Sequence, residues 1–139
     1  MLSKEYLKQA YRLNELIQCN RNELNELHEL STNLSATDYS KDKVQVSSSN
    51  DASYTKIVIK ITELEAVIKA DIERLLSLKI EIRKVIDAVR DNEERLLLHL
   101  RYLNFMSWDD VCDEMCVSSR TARRIHDSAL RNVKIPDDF

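Results

Sequence analysis

The sequence predicts an all-α fold: a long antiparallel helical hairpin, coiled-coil-like, followed by a small three-helix domain ending in a helix-turn-helix. Three observations carry this. The 139 residues include no glycine and one proline, Pro136, so the chain lacks the residues that tight β-turns favour at positive φ. Charged residues make up 32% of it, and Leu, Ile, Glu, Lys and Arg are abundant, as long helices require. Apolar residues also recur every three to four positions along two stretches separated by a polar segment, which is the period of a helix and not of a strand.

Ser3 can cap the first helix, with Glu5 in its first turn where the helix dipole favours an acid. A 3-4 repeat then runs through Tyr6, Ala10, Leu13, Ile17, Asn20, Leu24, Leu27, Ser31 and Leu34, apolar or aromatic at seven of the nine positions. This is a coiled-coil type of seam, and the helix should run for roughly 30 residues, about 45 Å. The pattern stops over residues 35–53, SATDYSKDKVQVSSSNDAS. That segment has too little apolar surface to offset the entropy of ordering it, so the expectation is a flexible loop, disordered or used as a contact segment.

The repeat resumes through Tyr54, Ile57, Ile61, Leu64, Ile68, Asp71, Leu75, Leu78, Ile82, Val85 and Val89, with Asp71 as its one interruption. The second helix should therefore reach Arg90. Folding the chain at the loop brings Leu34 near Tyr54 and Tyr6 near Ile82, and places Asn20 within about a turn of Asp71. The two polar residues either share a layer that sets the register or face solvent. Val58, Val67, Ile72, Leu76, Ile80 and Ile86 lie off this seam. A single partner helix does not need so wide an apolar stripe, so the surplus covers the C-terminal domain or a second copy of the chain. Self-association is favoured, because a monomer would expose a large patch. The expected organisation is thus a hairpin over residues 1–90 and a helix-turn-helix domain over residues 91–139.

Asp91 opens the second domain as a cap, with Glu94 completing a capping-box-like pair. Leu96, Leu97, Leu100, Tyr102 and Leu103 give its first helix an apolar face. Ser107 caps the second helix, with Asp110 at its third position, and Trp108, Val111, Cys112 and Met115 turn inward. After a turn at residues 116–118, Ser118 caps the third helix, in which Ala122, Ile125, Ala129 and Val133 share one face. Arg120, Arg123, Arg124, Asp127 and Arg131 fall within about a 100° arc opposite that face.

The charge distribution points to a function for that arc. The whole chain carries −3. From Ser118 to Lys134, however, five bases (Arg120, Arg123, Arg124, Arg131, Lys134) stand against Asp127 alone, for +4, while Trp108 to Val117 has four acids and no base. A basic helix in an acidic protein directs the contact, because the remaining surface repels phosphate. A major groove admits one helix, whose first residues reach base edges while flanking charges hold phosphates. Arginine suits both tasks, pairing with guanine through two hydrogen bonds and staying charged. The candidate DNA-binding residues are Ser118, Ser119, Arg120, Thr121, Arg123, Arg124, Asp127 and Arg131. Ser119, Arg120, Arg123 and Arg124 are placed nearest the bases, and Thr121 and Arg131 at phosphates. A solvated basic face on an ordinary amphipathic helix is the bland alternative; the two capped helices and their short turn weigh against it.

The run LLLHLRYLNFMSWDDVCDEMCVSSRTARRIHDSAL resembles the C-terminal domain of phage and prophage regulators of the ArpU/RinA type, whose DNA-binding part is similar to region four of sigma factors. The resemblance rests on LRYL at residues 100–103, the Ser-Trp-acidic start at residues 107–109, VSSRT at the start of the recognition helix, and His-x-x-Ala-Leu at residues 126–130. The opening EYLKQAYRL also looks like that of a phage family of unassigned function carrying this domain. The resemblance implies a transcriptional regulator of a phage or integrated element, acting on double-stranded DNA at a late or packaging-linked promoter, in the cytoplasm of a bacterial host. It departs at the turn, where the family offers a small residue or glycine and this chain has Cys116. A left-handed conformation is costly for a residue with a side chain, so a less regular turn is expected.

Other chemistry has less support. Cys112 and Cys116 are four residues apart with His99 and His126 nearby, but Cys112 lies on the apolar face, Cys116 in the turn, and no CxxC pair exists. His126 is expected to pack beside the recognition helix or to touch a phosphate. No phosphate loop or nucleophile–base motif is present, so neither enzymatic activity nor a cofactor is expected. The cysteine count suits a reducing compartment. The N-terminus lacks the apolar core of a signal peptide, and no apolar run approaches the roughly 20 residues of a membrane span. The competing reading is a helical protein-interaction module that contacts RNA polymerase or acts as a packaging adaptor similar to small terminase subunits, with the hairpin as its working surface. In either case a homodimer or higher oligomer through the hairpin is expected.

Overall fold

The computed structural model describes residues 2–40 and 48–139, with side chains over 2–34 and 52–139. In chain order the elements are α1 (Leu2–Ser40), α2 (Ser48–Asp87), α3 (Asn92–Leu98), a π-helical turn continuing it (His99–Leu103), α4 (Trp108–Met115) and α5 (Ser119–Asn132). The protein is all-α: a long helical pair precedes smaller helices, and no strand occurs among the described residues.

Both long helices reach into the segment expected to be a loop. α1 runs for 39 residues to Ser40, and α2 starts at Ser48 and runs for 40. Loss of the apolar repeat therefore did not end α1. Residues 35–40 and 48–53 contain no glycine or proline, the strongest helix breakers, so nothing in either stretch forces the helix to stop where its apolar stripe is exhausted. Residues 41–47, the middle of the expected loop, lie outside the described residues. At its other end α2 stops at Asp87, three residues short of the expected Arg90, and the Val89 N–H closes a tighter turn on the Ile86 carbonyl at 3.0 Å.

The chain forms two compact units, Glu15–Glu73 and Met1–Asn14 with Arg74–Phe139. In the first, Ile17, Ile61 and Ile68 are buried on the seam, each such side chain contributing about 1.5–3 kcal/mol. Asp71 is also buried, only 7% exposed, and Asn20 is half-buried. The carboxylate that breaks the repeat thus stays on the packed side.

In the second unit, Tyr6, Leu7 and Ala10 of α1, Ile82 and Ile86 of α2, and Val89 just beyond it share one core with Leu97, Leu98, Val111, Ala122, Ile125 and Ala129. Tyr6 and Ile82, expected to lie near each other, are both part of this core. α5 packs on both α3 and α4. Of the apolar residues that α2 carries off its seam, Ile86 is fully buried in this core, whereas Val58, Val67, Ile72, Leu76 and Ile80 are exposed.

Two details of α3 differ from expectation. Asp91 does cap the helix, accepting the Glu94 N–H at 3.0 Å. The Glu94 carboxylate does not reach back; it is buried and accepts from Ser128 Oγ and from Asn132 Nδ2, the latter at 2.9 and 3.1 Å. A buried carboxylate needs such donors, and these tie α3 to α5. Leu96, expected on the apolar face, is 46% exposed, while Leu98 takes the fully buried place.

Candidate nucleic-acid interface

The α4–α5 pair is built from local rules. Ser107 caps α4 and accepts the Asp110 N–H at 3.2 Å. α4 ends at Cys116, whose φ of 57° and ψ of 44° are left-handed. The Cys116 N–H donates to the Asp113 carbonyl at 3.3 Å and the Val117 N–H to the Cys112 carbonyl at 3.0 Å, the paired bonds of a Schellman motif. The irregular turn expected from a cysteine here is therefore not found. The left-handed cost, roughly 1–2 kcal/mol, is offset by the two carbonyls satisfied and by Val117 packing on the core.

Ser118 caps α5, accepting the Thr121 N–H at 3.1 Å while its hydroxyl donates to Thr121 Oγ1 at 3.0 Å. Both hydroxyls are thereby engaged with each other. Ala122, Ile125, Ala129 and Leu130 are buried. Ser119, Arg120, Arg123, Arg124, Asp127 and Arg131 are exposed together on the remaining surface of the helix, and Thr121 is half-buried. All eight sequence-predicted residues thus lie on α5 or at its cap, with the arginines unburied and the first turn held by Ser118.

His126 belongs to the core. It is 6% exposed, its Nε2 lies 2.6 Å from the Tyr102 hydroxyl, and the Trp108 ring meets it edge-on at 4.7 Å. Burial, aided by the nearby Lys4 ammonium, lowers its pKa to about 4, and burial raises that of Tyr102 to about 12. At neutral pH the phenol therefore donates to an unprotonated Nε2, which assigns the imidazole proton to Nδ1. The basic face of α5 rests on an uncharged support.

The structure also brings in cations from outside α5 that sequence reasoning missed. Lys4 lines a hollow of about 590 Å³ with Trp108, Ser119, Arg123, His126 and Asp127. Lys8, Arg12 and Arg101 line a second hollow with Tyr11 and Tyr102. Arg101 is held in place by donating to the Met106 carbonyl at 2.7 Å and by lying 4.8 Å over the Trp108 ring. The i, i+4, i+8 spacing of Lys4, Lys8 and Arg12 was visible in the sequence, but nothing in it links that row to α5.

The family described as "Protein of unknown function (DUF1492)" matches residues 33–134. The chain belongs to this family. The matched span takes in the whole of α2, α3, α4 and α5, and so includes every residue of the basic face on α5. No curated protein matches the chain, and neither does any solved structure.

Proposed function

We propose that this DUF1492 protein is a sequence-specific DNA-binding transcriptional regulator of a phage or integrated element, with α5 as the helix that enters the major groove. The observation that carries the reading is the α4–α5 pair itself. Two capped helices join through a three-residue turn, and the second turns Arg120, Arg123, Arg124 and Arg131 outward opposite its buried side. That is the shape and charge a groove-reading helix needs. The resemblance of residues 96–130 to the ArpU/RinA regulators and to sigma region four supports the same reading. The exposed apolar residues of α2 support a homodimer, whose two α5 helices would read half-sites about 34 Å, or a multiple of that, apart.

The test is binding to random duplex DNA across a salt series. Binding should weaken with salt as counterions are released, and Arg120→Ala/Arg124→Ala should make the log–log slope shallower by about 0.9 for each phosphate no longer neutralised. No binding by the unaltered protein at low salt would remove the DNA reading. The second reading, a helical module that contacts RNA polymerase or a packaging enzyme, draws on the same exposed apolar residues of α2 and would then stand in its place.

A further inference from the structure

α5 is not the only source of positive charge on its side of the unit. Lys4, Lys8 and Arg12 follow one another at i, i+4 and i+8 on α1, so they share one face of that helix. Two hollows link this face to the rest. Lys4 shares one with Arg123 and Ser119 of α5. Lys8 and Arg12 share the other with Arg101. The hollows adjoin through the hydrogen bond between Tyr102, which lines one, and His126, which lines the other.

We propose that Lys4, Lys8, Arg12 and Arg101 form a phosphate-binding strip that continues the basic face of α5, so that the first helix of the chain grips the DNA backbone beside the groove that α5 reads. This rests on the DNA-binding reading above and adds to it a second, sequence-independent contact. Asp127 is the one carboxylate among the residues lining the two hollows, so the strip has an excess of positive charge. The cations also feel one another: the Lys8 pKa is lowered first by burial and then by the charges of Lys4, Arg12 and Arg101. Such crowding of like charges is unfavourable in the free protein and is relieved when phosphates lie against it. α1 therefore contributes to affinity by position, while base discrimination stays with α5.

The experiment measures binding of the full-length chain to a random duplex over a salt series. Three proteins are compared: unaltered, Lys8→Ala/Arg12→Ala, and Lys56→Ala/Lys60→Ala. The last removes the same charge from exposed positions of α2 that belong to the other compact unit. The slope of log affinity against log salt should become shallower by about 0.9 for each phosphate no longer neutralised, roughly 2 in all, for Lys8→Ala/Arg12→Ala. It should not change for Lys56→Ala/Lys60→Ala. If Lys8→Ala/Arg12→Ala fails to fold, Lys4→Ala/Arg12→Ala, at two exposed positions, takes its place with the same expectation. An unchanged slope in the α1 variant, or an equal change in both double variants, overturns the strip while leaving DNA binding by α5 intact. Absence of binding by the unaltered protein overturns both.

Discussion

Acidification should destabilise this protein through one buried histidine. His126 is 6% exposed, accepts the Tyr102 hydroxyl, and has its pKa lowered to about 4, chiefly by burial, against about 6.5 in an unfolded chain. The folded state therefore favours the neutral imidazole. Its stabilising contribution is fully present above the unfolded pKa, is lost as pH falls from about 6.5 towards 4, and changes no further below that. The gap corresponds to a ceiling on the order of 3 kcal/mol, of which about 2.5 kcal/mol disappears between about pH 7.5 and about pH 4.5. The perturbation is His126→Gln, which does not titrate but can still accept from the phenol. Urea unfolding followed by far-ultraviolet circular dichroism at the two pH values gives the loss for each protein. The difference between the two losses isolates His126, because other groups with shifted pKa values act alike in both. Asp87 is one of these: its pKa is lowered from 3.8, first by its hydrogen bond to His99 and then by the nearby charges of His99 and Arg83, so its stabilisation is lost only below that value, beneath both pH values of the assay. Equal acid dependence in the two proteins would refute the reasoning, since the imidazole would then not be buried neutral.

Two further outcomes are expected. Cys116→Gly should raise stability by roughly 0.5–1 kcal/mol in the same urea assay, because glycine adopts the left-handed conformation without the steric cost of a side chain; a decrease would mean that the cysteine side chain does more than occupy the turn. Light scattering at micromolar concentration should give the mass of a dimer, and Leu76→Glu/Ile80→Glu, at two exposed apolar positions of α2, should shift it to monomer. A monomer mass for the unaltered protein would end the proposal of self-association.

Much of the fold was legible because helices announce themselves locally. The absence of glycine, the 3-4 repeats, and the caps at Asp91, Ser107 and Ser118 all act over one or two turns, where sequence spacing is spatial spacing. The long polar segment misled for a related reason. Apolar periodicity reports burial, and α1 and α2 persist where little burial is signalled. Glu94 misled in another way: its position suited a capping box, but the donors it found, Ser128 and Asn132, lie more than 30 residues away.

The candidate site divides along the same line. That α5 would be amphipathic, with four arginines facing away from its core, was determined by sequence alone, since a helix with that spacing has one geometry. The left-handed turn at Cys116 was the place where a local rule predicted irregularity and tertiary packing of Val117 favoured order instead. Only the tertiary structure decided that His126 is buried and neutral, that Ile86 covers the core while Leu76 and Ile80 stay exposed, and that Lys4, Lys8 and Arg12 share hollows with Arg123 and Arg101. Those facts depend on which distant elements meet. Sequence spacing determines which residues share a helix face, but not which other face it is packed against.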